Sequence, residues 1–196
     1  MKDKNLLLPL LVITVLAVLS GCEYPLLLLA AVLVHEVAHV IAAVAVGAEI
    51  SLGKFLPCGL VLEYDCHLIH PAKEAMIAAA GVLANALAAA FCLAFADMNN
   101  DAVFFVFAVN AVLAGMNMLP ISGFDGAVIA ERLLAVIAGP MTAAKIISAA
   151  SDAGSVLFTL FTVWFNVRIG LNISMLVLSL YLDFSLLTGS KKGSLA

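Results

Sequence analysis

From Leu26 to Gly47 the chain is apolar apart from three side chains, His35, Glu36 and His39. About 20 residues at 1.5 Å each match a hydrocarbon core of about 30 Å, so this run is long enough to span a bilayer. Inside lipid only a helix or a closed barrel satisfies its own backbone, and the run is read as a helix. Ionisable side chains at that depth are costly and mark a functional site by default. Residues four apart lie on one helical face, so His35 and His39 can reach one metal ion. Glu36 is placed to take a proton from water activated by that ion. The HExxH pattern in this setting implies hydrolysis inside a membrane.

The rest of the chain is consistent with that setting. Of its 196 residues 65% are hydrophobic and 11% charged, with a mean hydropathy of +1.18, which excludes an ordinary soluble domain. The net charge of −4 carries no basic patch, so nucleic acid is not an expected partner and the lipid bilayer is. Cys22, Cys58, Cys66 and Cys92 form no CxxC pair; they read as small buried hydrophobes rather than a disulfide framework.

Hydropathy gives six apolar segments, at 5–21, 25–47, 73–97, 102–119, 146–167 and 171–188. The predicted fold is an all-α, polytopic bundle of about six transmembrane helices forming one domain over 1–196. The breaks fall at 21–25, 48–72, 97–101, 120–145 and 168–170. If all six cross with a cytoplasmic N-terminus, Lys2, Lys4, Lys54, Lys73, Arg132, Lys145, Lys191 and Lys192 lie on the cytoplasmic side and only Arg168 lies outside. That is the bias of the positive-inside rule, and it puts both termini in the cytoplasm. A competing reading takes Met1 to Cys22 as a lipoprotein-type signal ending in Leu19-Ser20-Gly21-Cys22. In both readings the second segment runs from outside to inside.

Residues 48–65 are interrupted by Gly53, Pro57 and Gly59 and cannot span. Ile50-Ser51-Leu52 and Leu60 to Tyr64 flank the turn residues, predicting a short β-hairpin-like or re-entrant segment after the second helix. A re-entrant segment would have to be buried in protein or line a wet cavity; a cytoplasmic loop is the other reading. An exposed edge there could hold an unwound substrate by strand addition.

A catalytic zinc site usually has three protein ligands. The candidate third ligand is Asp125, in Asn117-Met118-Leu119-Pro120-Ile121-Ser122-Gly123-Phe124-Asp125-Gly126. Pro120 and Gly123 break the fourth segment and let the carboxylate turn into the bundle, and Gly126 permits close backbone approach. Glu74 and Glu131 are the alternative carboxylates. Each adjoins a basic residue, Lys73 or Arg132, near a predicted helix end, where solvated or dipole-related roles suit them better. Cys58, Cys66, His67 and His70 match no standard zinc module and read as a juxtamembrane loop.

HExxH in an early span followed by NxxPxxxxDG resembles the site-2 protease family of intramembrane zinc metalloproteases. The resemblance covers about residues 25–130 and extends to Gly81-Val82-Leu83-Ala84-Asn85, which is similar to that family's GPxxN element with Val82 in place of proline. It implies that Zn2+ is the cofactor, held by His35, His39 and Asp125, and that Glu36 activates water. Asn85 and Asn117 have two readings, inter-helix hydrogen bonding and orientation of the catalytic elements or of substrate backbone. Within the family the chain looks most like the stage IV sporulation protein FB branch of bacterial proteins, without a PDZ or CBS domain. That branch implies a membrane-tethered substrate such as a sigma-factor precursor, cut near the cytoplasmic face, and a membrane inhibitor or regulator as partner. The non-protease alternative is a membrane metal transporter or zinc-bearing scaffold, which has no need of Glu36.

Overall fold

The computed structural model describes residues 23–48, 50–51, 55–56, 59–60, 63–64 and 70–192, with side chains described for 23–48 and 70–184. The predicted 5–21 segment lies outside them, and with it the choice between a span and a processed signal. Cys58, Cys66 and His67 lie outside them too.

Among the described residues six helices follow one another: α1 Pro25–Ala45, α2 Pro71–Phe95, α3 Asp101–Asn117, α4 Asp125–Ala138, α5 Pro140–Arg168 and α6 Ile173–Lys192. Their ends are written in the sequence. Proline occupies the first position of α1, α2 and α5, where its missing N–H costs nothing. Gly47, at φ +77°, ends α1; its N–H donates to Val44 O and that of Ala48 to Ala43 O, the paired bonds of a Schellman motif. The His70 ring caps α2 by accepting from Ala72 N at 3.2 Å. Asn100 caps α3 by accepting from the Ala102 and Val103 amides.

Between α1 and α2, Ile50–Ser51 pairs antiparallel with Glu63–Tyr64, and Phe55–Leu56 pairs with Gly59–Leu60. The intervening residues lie outside the described ones, as does any statement of how this segment sits against a membrane.

α1, α2 and α5 are long and apolar enough to cross a membrane; α3 is shorter, as is Ile173–Phe184, the part of α6 whose side chains are described. The exterior carries large apolar side chains such as Ile137, Phe95 and Val167, while fully buried positions include Ala43, Ala143, Asn85 and Thr162. Small and polar residues between helices with large hydrophobes outside is the packing of a multi-pass membrane protein, where lipid solvates the hydrophobes.

The stretch 120–145, predicted as a break, is instead mostly helix. α4 fills 125–138 and α5 begins at Pro140 rather than at 146. Hydropathy misses α4 because its 14 residues amount to about 21 Å and include Glu131 and Arg132. Its direction is fixed by two contacts. Asp125, at its start, lies against the histidines of α1, and His39 bonds the carbonyl of Ile77 in α2. Arg132, two turns later, reaches Glu74 in the first turn of α2 at 2.7 Å. α4 therefore runs antiparallel to α2, as does α3, which follows α2 through a tight turn. α3 and α4 thus run in the same direction, joined through 118–124.

Candidate metal centre

The buried residues of α1 are Ala31, His35, His39 and Ala43, a stripe of four-residue spacing that packs on α2. Alanines at both ends of the stripe let the helices approach, and the glycine opposite the histidines completes the fit. A Cβ on Gly81 would stand 2.6 Å from His39 Cε1 and 2.7 Å from His35 Cε1, and would also clash with His39 Nε2. The absence of a side chain at Gly81 makes room for both imidazoles. His39 Nδ1 donates to the Ile77 carbonyl at 2.8 Å. A carbonyl only accepts, so a ring proton is on Nδ1, and in the neutral ring Nε2 presents a lone pair.

Asp125 arrives from the other side. The chain leaves α3 at Asn117, passes Pro120, and turns between Ile121 and Phe124, with the Phe124 N–H donating to Ile121 O at 3.0 Å. Gly123, the third residue of that turn, has φ +99°, a conformation that favours glycine. Asp125 then opens α4. Its neighbour Gly126 touches the end of α3 so closely that a Cβ would overlap the Met118 carbonyl and lie 2.6 Å from Leu119 O.

The three elements bring three donor atoms together. His35 Nε2 and His39 Nε2 are 3.1 Å apart, and Asp125 Oδ2 lies 3.0 Å from the first and 3.3 Å from the second. Donors in a tetrahedral shell with bonds of 2.0–2.1 Å stand about 3.3 Å from one another, so the spacing fits a single zinc-sized ion. The charges also fit one. Asp125 Oδ2 is buried and makes no hydrogen bond despite these approaches. An unprotonated imidazole nitrogen and a carboxylate oxygen at 3.3 Å repel each other unless a cation lies between them. His35, His39 and Asp125 are the residues able to hold a metal among those described. Glu36 is half-buried beside them on α1.

The other predicted residues divide. Pro120 and Gly126 shape the turn that delivers Asp125. Asn85 lies one turn beyond Gly81, wholly buried, with neither amide atom hydrogen-bonded. Asn117 instead donates to its own helix, at Leu113 O. Glu74 is buried but bound to Arg132, which also holds Glu131 at 3.1 Å, so neither alternative carboxylate joins the histidines. His70 is a helix cap. Sequence reasoning gave no role to Ser151, whose Oγ accepts from Ser122 N at 2.6 Å, or to Gly154, against which Ile121 packs. A glycine inside an apolar helix is the signal that marks close approach; Ser151 carries none.

No protein-family model and no curated protein matches the sequence. Among solved structures the chain is similar to the Site-2 Protease from Methanocaldococcus jannaschii, with a TM-score of 0.62 and 24% identity over 93% of this chain and 86% of that one. The two share a fold across nearly the whole chain.

Proposed function

We propose that this chain is an intramembrane zinc endopeptidase. The observation that carries the reading is the convergence of His35, His39 and Asp125 on one point beside Glu36, at the depth where α3 and α4 break. The shared fold with a site-2 protease supports it.

Zinc, when bound, supplies a Lewis acid that lowers the pKa of water and polarises a carbonyl. The rest is the work of the chain. His39 is held with its lone pair inward by the Ile77 carbonyl, and the Gly81 notch keeps both imidazoles against α2. Glu36 takes a proton from the attacking water and delivers it to the leaving amine nitrogen as the peptide bond opens. Asn85, buried with its donor and acceptor free, offers hydrogen bonds to an unwound peptide. A substrate helix hides its carbonyls in its own hydrogen bonds and must unwind to be cut. His39 lies six residues before Ala45, about 9 Å of helix, so water has a short path from that end.

The substrate is a membrane-tethered protein cut near the cytoplasmic face, a sigma-factor precursor being the class implied by the resemblance to the sporulation branch, with a membrane inhibitor or regulator as partner. The test is cleavage of a tethered pro-sigma-type substrate by purified protein in detergent, wild type against Glu36→Gln, with bound zinc quantified in each. Cleavage by wild type alone, at equal zinc, is the expected result. Equal cleavage by Glu36→Gln would refute the role of Glu36; zinc in neither would refute the metal centre. Zinc transport that survives Glu36→Gln, without cleavage, would favour a transporter.

A further inference from the structure

The two histidines and the aspartate are positioned by different parts of the molecule. His35 and His39 are seated on α2 through Gly81 and Ile77. The loop before Asp125 is seated on α5. Ser122 N–H donates to Ser151 Oγ at 2.6 Å, and Ser151 is itself buried. One turn further along α5, Gly154 receives Ile121, and a Cβ there would stand 2.7 Å from Ile121 Cγ1 and 3.3 Å from Cδ1. Another turn along, Phe158 joins Ile121, Phe124 and Leu182 of α6 in one buried cluster. Ser151, Gly154 and Phe158 thus lie on one face of α5, three and four residues apart, and all three meet the 120–124 loop that precedes and sets Asp125.

We propose that Ser151 and Gly154 are positioning residues for the metal: through the 120–124 loop, the α5–α6 hairpin sets how tightly the third ligand completes the site. This rests on the metal-centre reading above and adds a second control point to it. Metal sites tolerate departures of about 0.2 Å in ligand distance. Ordinary contact at the Gly154 position begins at 3.4 Å, so a methyl there pushes Ile121 by about 0.7 Å, from the 2.7 Å separation. That exceeds the tolerance, and Ile121 is four residues from the ligand. Loss of the Ser151 hydroxyl removes the acceptor that pins the turn one residue further on. A displacement of α5 would accordingly be felt at the metal even though α5 supplies no ligand.

The experiment is a zinc affinity measurement by chelator competition on full-length protein in detergent, paired with the melting temperature of the metal-free form. Wild type, Ser151→Ala, Ser151→Thr, Gly154→Ala, the Gly154→Ala/Ile121→Ala pair and lipid-facing Leu157→Ala are compared. Ser151→Ala and Gly154→Ala are expected to weaken zinc binding by about tenfold or more, the scale of outer-sphere changes at metal sites. Ser151→Thr keeps the acceptor and Leu157→Ala touches nothing in the loop, so both retain wild-type affinity. The double variant relieves the overlap and binds better than Gly154→Ala alone, which a general loss of folding does not produce. Wild-type affinity in both Ser151→Ala and Gly154→Ala, or no recovery in the pair, would overturn the proposal while leaving the metal centre intact. Failure of wild type to bind zinc would instead overturn the metal centre, and this inference with it.

Discussion

Gly81→Ala separates metal binding from stability in one substitution. The new Cβ would stand 2.6 Å from His39 Cε1 and 2.7 Å from His35 Cε1. Ordinary contact begins at 3.4 Å, so each ring must retreat by about 0.7–0.8 Å, several times the ligand-distance tolerance of about 0.2 Å. Both ligands move, and His39 also risks its bond to Ile77. The expected loss in zinc affinity exceeds 100-fold, about 2.8 kcal/mol at 1.4 kcal/mol per tenfold. Stability changes less, by about 0–2 kcal/mol. Overpacking costs about 1–3 kcal/mol, and replacing a mid-helix glycine returns about 1 kcal/mol. Gly115→Ala is the control, since nothing lies within 4 Å of its Cβ position. It should raise the melting temperature slightly and leave zinc untouched. The assay is chelator competition for zinc alongside thermal unfolding of metal-free protein. Wild-type zinc affinity in Gly81→Ala would refute the seating of the histidines on α2.

Three further outcomes follow from the same geometry. Asp125→Ala should abolish zinc binding, while Glu74→Ala and Glu131→Ala spare it; Glu74→Ala should still destabilise the fold by roughly 1–3 kcal/mol, below the full cost of breaking a buried pair because Arg132 is a third exposed, as thermal unfolding would show. Gly126→Ala sets a methyl into the Met118 carbonyl, where backbone cannot give way, and should cost at least 2 kcal/mol in unfolding free energy by the overpacking scale together with most of the zinc. Removing zinc with a chelator should lower the melting temperature of wild type, by about 2.7 kcal/mol of linkage at free zinc 100 times the dissociation constant, and should leave that of Asp125→Ala unchanged.

What the sequence reveals and what it conceals divide along physical lines. The starts of α1, α2 and α3 fall within two residues of the apolar segments at 25, 73 and 102, and the His35/His39 face is legible because four-residue spacing is a property of any helix. Asp125 is legible through Pro120, Gly123 and the following glycine. α4 is not, since a helix of about 21 Å bearing Glu131 and Arg132 falls below any span-length hydropathy signal; its direction is set by a contact of Arg132 with Glu74, 58 residues away. Ser151 is concealed for the same reason. Its partner Ser122 lies 29 residues away, and nothing in its neighbourhood in the chain distinguishes it from any serine in an apolar helix. The Asn117 amide shows the converse: a polar residue beside a motif donates back onto its own helix, at Leu113 O.

The interruption of α3 by residues 118–124 has a topological consequence that the positive charges alone leave open. A bundle placing a carboxylate at mid-depth can reverse the chain there or break one crossing in two. Reversal would return α4 toward the turn at 96–100; a broken crossing carries it on toward the Lys73 end of α2. The Arg132–Glu74 pair selects the second, since Glu74 lies in the first turn of α2. Met141, three quarters exposed at the start of α5, then lies at the opposite end of the bundle from Asn99. In protein freed of its native cysteines, Asn99→Cys and Met141→Cys should be labelled by a membrane-impermeant maleimide from opposite faces of sealed vesicles. The positive-inside bias of Lys73, Arg132 and Lys145 predicts labelling of Met141→Cys from the cytoplasmic face. Labelling of both positions from one face would mean that α4 turns back, and would leave the Arg132–Glu74 contact without a place in the membrane-embedded fold.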